Sequence, residues 1–158
     1  MSAHKLTMHK DIVTALGALV LTTSAVETGL GTFLAWLVGH PNPDKILPLV
    51  GGMEATVKLG LIVRLGSQQF PDKHKLISDL CEDIQNAFQK RNDIVHGLIA
   101  PTDDPRVLQV QATKFTRKGK LPKAKPYTPE EIFAISKEIH GSYMRLEKLF
   151  NGLPAQQF

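Results

Sequence analysis

The sequence predicts a mainly α-helical fold: an antiparallel four-helix bundle with a small β-hairpin inserted before the last helix. Three segments repeat apolar residues at the three- and four-residue spacing of an amphipathic helix. A further segment, the first in the chain, is long and almost uncharged. Between the last two helices, a stretch rich in lysine and proline has instead the two-residue alternation of a strand.

The composition is that of one soluble globular domain covering residues 1–158. A chain of 158 residues can bury a sizeable core, and 42% apolar with 22% charged residues is ordinary for a soluble protein. The single cysteine, Cys81, excludes an internal disulfide, and Asp, Glu, His and Cys do not cluster at metal-ligand spacing. We expect a cytoplasmic protein that uses no metal and no cofactor. The net charge of +4 permits a polyanionic partner without requiring one.

The first helix is predicted over Ile12 to Gly39, where Glu27 is the only charged residue. This length is enough to cross a bilayer, so a transmembrane span and a secretory signal compete with a soluble helix. A span would carry Glu27 near its centre, and Thr23-Ser24-Ala25 is a weak cleavage site. We favour a soluble helix, away from any membrane, buried on most sides in a bundle core or a dimer interface.

The second helix is predicted from about Leu47 or Met53 to Leu65, with Glu54 and Lys58 as an exposed pair four residues apart. The third helix is predicted from about Lys73 to His96. Gly97 is expected to end it in the left-handed conformation, which glycine adopts without strain.

A basic β-hairpin is predicted over about 107–127. Leu108, Val110 and Ala112 alternate with polar residues, and the return arm contains Pro126, which restricts it to a sheet edge. Four basic residues near the turn are candidates for binding an RNA backbone, although charges at a hairpin tip are often only solvated. These residues are Lys114, Arg117, Lys118 and Lys120. The last helix then begins at Thr128-Pro129-Glu130-Glu131, a strong N-terminal capping sequence.

Arg91 interrupts the apolar stripe of the third helix. A guanidinium is rarely buried without a partner, so Arg91 must meet an acid, an acceptor-lined cleft or a ligand. Asn92 and His96 are four residues apart and lie side by side on the flank of the stripe. Glu27 lies on the core face of the first helix, and we expect it to face Arg91. That contact is either a plain structural ion pair or a support that orients Arg91.

The run Arg91-Asn92-Asp93-Ile94-Val95-His96 resembles the motif of the HEPN superfamily, a group of helical, nucleic-acid-associated proteins. That motif is an arginine followed four to six residues later by a histidine, often with a polar residue directly after the arginine. The layout of helices resembles the family over most of the chain. Residue for residue, the resemblance is specific only over 91–97, and the hairpin insert is not part of the minimal family pattern.

The resemblance implies a homodimer whose motif helices meet across a cleft. It also implies metal-independent cleavage of RNA, as in many members that act as toxins or in anti-phage defence, while other members have lost activity. An antitoxin or a nucleotidyltransferase-type protein is a further partner of such proteins. Only Arg91, Asn92 and His96 carry over to this chain as catalytic residues.

These residue types suit cleavage of RNA. The 2′-hydroxyl is a nucleophile within the substrate, His96 is suited to proton transfer as general acid/base, and Arg91 would stabilise the phosphate. Two alternatives stay open. Arg91 paired with Glu27 and His96 capping its helix would be purely structural. The fold would also serve as a non-catalytic dimeric HEPN-like module that binds RNA, a nucleotide or a protein.

Overall fold

A computed structural model describes residues 8–39, 43–100, 102–111, 113 and 123–153. Within these ranges the chain forms five α-helices and one three-stranded antiparallel sheet. The elements, in chain order, are α1 (Lys10–Val38), α2 (Pro43–Gly51), α3 (Ala55–Gln69), a short 3₁₀ helix (Pro71–Lys73), α4 (His74–Val95), β1 (Leu98–Ala100), β2 (Leu108–Gln111), β3 (Lys125–Tyr127) and α5 (Pro129–Asn151). The fold is mainly helical with a small antiparallel sheet, as the sequence predicts.

Helix α1 supplies the centre of the hydrophobic core. It ends at Val38, because Gly39 adopts the left-handed conformation with a φ of 71°. By length and composition alone, α1 is the one helix in the described ranges that could cross a membrane. One side of α1 is nevertheless fully packed inside the protein, through Ile12, Ala15, Leu19, Val26, Leu30, Leu34 and Leu37. Its opposite side is exposed, with Val13 and Leu21 accessible to solvent.

The segment predicted as the second helix contains two helices, so the count of four is wrong for the described residues. Helix α2 ends at Gly51, and α3 begins after Glu54. Lys58, expected at an exposed position beside Glu54, is only 3% exposed. Its Nζ donates to the carbonyl oxygens of Glu27 (3.1 Å) and Gly51 (3.3 Å). Lys58 therefore joins α1, α2 and α3 at one point of the core.

Helices α1 and α4 occupy opposite corners of the helical body. Helix α5 packs against both of them on one side, and α3 packs against both on the other. Phe33 of α1 stacks on Phe150 of α5, with ring centroids 5.1 Å apart. The Gln69 amide donates to the Leu37 carbonyl (2.6 Å) near the ends of α3 and α1. The contact between Glu27 and Lys58 precedes the contact between Leu37 and Gln69 in both helices, so α1 and α3 run in the same direction. The expected antiparallel order of these two helices is therefore wrong.

The sheet lies at the end of the body where α4 finishes. Strand β2 is central and antiparallel to both neighbours, with Ile99 opposite Val110 and Gln109 opposite Pro126. The structure confirms the predicted strand at Leu108 and the edge position of Pro126. Strand β1 was not predicted, because a run of three apolar residues is too short to show a period. Residues 114–122, which include the predicted hairpin turn, lie outside the described residues.

Gly97 links α4 to β1 for a reason other than the predicted one. It does not adopt the left-handed conformation, since Gly39 is the only glycine with positive φ in the described chain. Instead, a Cβ at position 97 would collide with the Val110 side chain and would approach the Asp93 carbonyl oxygen to 2.6 Å. Glycine is therefore required by the close packing of this junction against β2.

Helix α5 begins as predicted. The Thr128 hydroxyl accepts from the Glu131 N–H (3.3 Å), and the Glu131 carboxylate accepts from the Thr128 N–H (2.8 Å). This reciprocal capping box satisfies two backbone donors that a helix start would otherwise leave unpaired. It fixes where the chain turns from the sheet back into the helical body.

Candidate functional site

The three candidate catalytic residues lie together at the C-terminal end of α4. Arg91 and Asn92 belong to the last two turns of the helix and are half-buried, whereas His96 is exposed. The His96 N–H donates to the Asn92 carbonyl oxygen (3.0 Å) and so closes the helix. The chain then enters β1 directly, which places this cluster between the helical body and the sheet.

The guanidinium of Arg91 joins the other two side chains. Its Nη1 donates to Asn92 Oδ1 (2.8 Å) and lies 3.3 Å from His96 Nε2. A guanidinium can only donate hydrogen bonds, so this contact is a hydrogen bond in the tautomer in which Nε2 of His96 accepts and Nδ1 carries the hydrogen. In that pairing the Nε2 lone pair is directed at Arg91, and Nε2 can take up another proton only when the guanidinium turns away from it.

The Nε of Arg91 is buried and has no hydrogen-bond partner in the described structure. An unpaired buried donor costs roughly 1–3 kcal/mol, and most buried polar groups in proteins avoid this cost. Such a group in a native structure needs a specific explanation, and a catalytic role is one of the known ones. Arg91 therefore has donor capacity beyond what Asn92 and His96 use.

The expected contact between Glu27 and Arg91 is absent from the described residues. No salt bridge joins the two side chains, and α1 packs mainly on α5 and α3 rather than on α4. Glu27 is half-buried, and its backbone carbonyl accepts from Lys58 of α3. Arg91 instead donates to Asn92, the next residue on its own helix.

The four basic residues proposed to bind RNA, Lys114, Arg117, Lys118 and Lys120, lie outside the described residues, so their role stays a prediction. The described part of the return arm contains Lys125, whose Nζ lies 4.8 Å from the centre of the Tyr127 ring. This cation–π contact places one further positive charge on the sheet that follows the cluster.

Other reactive groups do not form a second site in the described ranges. No group of three or more His, Cys, Asp or Glu residues is arranged there to hold a metal ion. Burial raises the pKa of the Cys81 thiol to about 12, so the thiol stays protonated at neutral pH and acts as a packing group. His140 is exposed on α5, away from the cluster.

A polar groove of about 510 Å³ runs between α4 and α5, on a different side of α4 from Arg91. Its charges neutralise one another. Lys90 pairs with Glu138 (2.7 Å), and Arg145 pairs with Asp83 (2.9 Å). Because these cations already have carboxylate partners, the groove has little capacity left for an anionic ligand.

Comparison with known proteins adds no assignment to this geometry. No family model matches the sequence, and comparison with curated proteins and with solved structures gives no significant match. The function is therefore argued from the cluster itself.

Proposed function

We propose that the protein is a metal-independent endoribonuclease and that Arg91, Asn92 and His96 form its active site. The observation that supports this most directly is the position of Arg91 Nη1, within hydrogen-bonding distance of both Asn92 and His96. One cation, one amide and one proton carrier meet at a surface that a phosphodiester can reach, since His96 is exposed.

The proposed reaction is internal transesterification. When the phosphate binds, the Arg91 guanidinium turns from His96 Nε2 to the phosphate oxygens. His96 Nε2 then accepts the proton of the 2′-hydroxyl, the 2′-oxygen forms a bond to phosphorus, and the bond from phosphorus to the 5′-oxygen breaks. The leaving oxygen takes up a proton from water or from a second, protonated imidazole, which leaves a 2′,3′-cyclic phosphate and a 5′-hydroxyl. Arg91 stabilises the charge that accumulates on the phosphate oxygens, and such contacts contribute about 10²–10³-fold in other enzymes.

Asn92 has the role of a positioning residue. Its Oδ1 accepts from Arg91 Nη1, so it fixes the guanidinium beside His96. Without that acceptor, the guanidinium would have more rotational freedom at the moment when the phosphate binds.

The wider proposal follows the resemblance: an HEPN-like helical bundle that acts in the cytoplasm as a homodimer and is toxin-like or defence-related. The cluster of one copy contains one histidine, His96. In-line attack places the 2′- and 5′-oxygens on opposite sides of phosphorus, so one imidazole cannot serve both oxygens at once. A second copy would provide another His96 for the leaving group. An antitoxin or a nucleotidyltransferase-type partner would restrain the activity.

A non-catalytic RNA-, nucleotide- or protein-binding module is the second candidate. One observation favours it: the Arg91 guanidinium already contacts Asn92 of α4 and the C-cap residue His96. Binding of phosphate would then need only Arg91, and His96 would serve as the residue that closes α4.

Incubation of labelled RNA with purified protein in EDTA separates these candidates. We expect the wild type to cut RNA and to leave DNA of the same sequence intact, and we expect His96→Ala and Arg91→Ala to be inactive. His140→Ala is the matched control, because it removes an exposed histidine from another helix. If RNA stays intact but binds to the wild type and not to Arg91→Ala, the protein is a non-catalytic RNA-binding module and the nuclease proposal is wrong.

A further inference from the structure

The contact between Arg91 and His96 blocks the base that the proposed reaction needs. Arg91 Nη1 lies 3.3 Å from His96 Nε2. When this contact is a hydrogen bond, the single lone pair of Nε2 is engaged and the other ring nitrogen carries the hydrogen. The structure therefore contains a general base that cannot take up a proton until the guanidinium leaves it.

The two contacts of Arg91 Nη1 differ in length. The bond to Asn92 Oδ1 is 2.8 Å, whereas the contact with His96 Nε2 is 3.3 Å. N–H donors in proteins commonly lie about 2.7–3.2 Å from their acceptors, so the contact with His96 is the weaker of the two. A competing acceptor would displace His96 first, while Asn92 keeps its hold on the guanidinium.

A phosphate group is a stronger acceptor for Arg91 than a neutral imidazole. It offers several negatively charged oxygens, which a guanidinium can bind with two parallel hydrogen bonds. The resting arrangement also leaves the guanidinium incompletely bonded, because its buried Nε has no partner in the described structure. A rearrangement that gives Arg91 more acceptors is therefore favoured.

The guanidinium, rather than the imidazole, is the group free to move. The His96 N–H donates to the Asn92 carbonyl oxygen (3.0 Å), and two residues later Leu98 pairs with Gln111 in the sheet. These bonds fix the backbone of His96 on both sides. The long side chain of Arg91 has many rotamers and can swing at little cost.

We propose that the contact between Arg91 and His96 is autoinhibitory and that an anionic phosphate releases it. The phosphate draws the guanidinium away, so His96 Nε2 becomes a free base only when a phosphate is bound. This inference rests on the proposed function and adds regulation of the same site. Since the two events are coupled, the phosphate acts as both substrate and trigger. A nucleoside, or a linkage without negative charge on phosphorus, leaves the base blocked.

The tautomer of His96 reports the contact. A neutral imidazole has two tautomers, and free histidine in water favours the hydrogen on Nε2, whereas the contact with Arg91 requires it on Nδ1. The ¹⁵N chemical shifts of the ring distinguish these forms in the labelled full chain at alkaline pH, where neutral imidazole predominates. We expect His96 to be in the Nδ1–H form in chloride. His9 is an internal reference, because its Nδ1 accepts from the Asp11 N–H (3.4 Å) and its hydrogen must lie on Nε2.

Inorganic phosphate, replacing chloride at constant ionic strength, serves as the trigger. We expect the Nε2 resonance of His96 to move from the range of a bare ring nitrogen to that of an N–H nitrogen as phosphate is added. Arg91→Ala should show the Nε2–H form at every phosphate concentration. Arg145→Ala is the matched control; it removes an exposed arginine paired with Asp83 and should respond like the wild type.

The proposal is overturned if wild-type His96 is in the Nε2–H form in chloride, or if its Nδ1–H form persists at the highest phosphate concentration. Both results come from the wild type, so they do not depend on whether a variant folds. They are also independent of RNA cleavage. A phosphate-released His96 in a protein that does not cut RNA would refute only the nuclease, and cleavage by a protein whose His96 ignores phosphate would refute only the autoinhibition.

Discussion

At the residue scale, Arg91 explains why a charged side chain can occupy an apolar stripe. Its guanidinium is held by Asn92 and lies beside the exposed His96, so the positive charge lies at the C-terminal end of α4, near solvent. Helical spacing predicts that Asn92 and His96 lie side by side. The contacts of Arg91 with both residues depend on the reach of its long side chain, which spacing does not predict. The sequence could not identify the partner of Glu27, because that depends on which helices become neighbours.

The geometry of the guanidinium should matter as well as its charge. Arg91→Lys keeps the positive charge, but an ammonium group has no planar fork with which to bond Asn92 and a phosphate together. We expect kcat/KM for RNA cleavage to fall by about 10²–10³-fold, the cost typical of losing one oriented donor. Arg145→Lys, which changes an exposed arginine paired with Asp83, should cleave like the wild type. Equal activity of both variants would mean that Arg91 acts only through its charge.

At the element scale, the junction between α4 and β1 sets the position of the cluster. Helical periodicity predicted α4 well, from about Lys73 to His96 compared with His74–Val95 in the structure. The predicted left-handed glycine end is wrong, because His96 is the C-cap residue. The tight packing of Gly97 against Val110 could not be predicted from local patterns. Val110 lies in β2, which is distant in the chain, and β2 pairs with β1, a strand that the sequence does not predict.

A pair of glycine substitutions tests this junction. Gly97→Ala places a methyl group against Val110 and backbone atoms that cannot move easily, so we expect a loss of about 1–3 kcal/mol in unfolding free energy. Gly17→Ala in α1 meets open space, and the higher helix propensity of alanine should stabilise the protein by about 1 kcal/mol. Urea denaturation measures both. If both variants change the free energy of unfolding by the same amount and in the same direction, the close packing assigned to Gly97 is contradicted.

Lys58 should stabilise the contact among α1, α2 and α3. Lys58→Met retains most of the side-chain volume but removes the bonds to the carbonyl oxygens of Glu27 and Gly51. We expect the free energy of unfolding to fall by about 1.5–3 kcal/mol, the contribution typical of hydrogen bonds made by a charged group. Lys75→Met is the control; it removes an exposed lysine paired with Asp79 and should leave stability nearly unchanged. A Lys58 variant as stable as the control would refute this role.

At the scale of the whole molecule, the sequence predicted the class of fold better than its arrangement. The long α1, the amphipathic α4 and the capped α5 follow from local patterns, which act over a few residues. The sequence does not predict the separation of α2 from α3. The parallel direction of α1 and α3 depends on long-range packing, which the pattern of one segment does not encode.

A soluble protein and a membrane protein would use the apolar helix α1 differently. Its buried side chains form the centre of the core, so moving α1 into a bilayer would remove that core from the other helices. We expect the full-length chain to be recovered in the soluble fraction after cell lysis and high-speed centrifugation. Recovery only after extraction of the membrane pellet with detergent would contradict this expectation and favour α1 as a span.

The central claim is that the Arg91–His96 cluster cuts RNA by attack of the 2′-hydroxyl. The most direct measurement compares an RNA with the same RNA carrying one 2′-deoxy nucleotide on the 5′ side of a mapped cut, both in EDTA. We predict that the wild type leaves a 2′,3′-cyclic phosphate on the first substrate, that the deoxy substitution abolishes that cut, and that His96→Ala cuts neither. Cleavage of the deoxy substrate, or products that end in a 3′-hydroxyl, would contradict the mechanism.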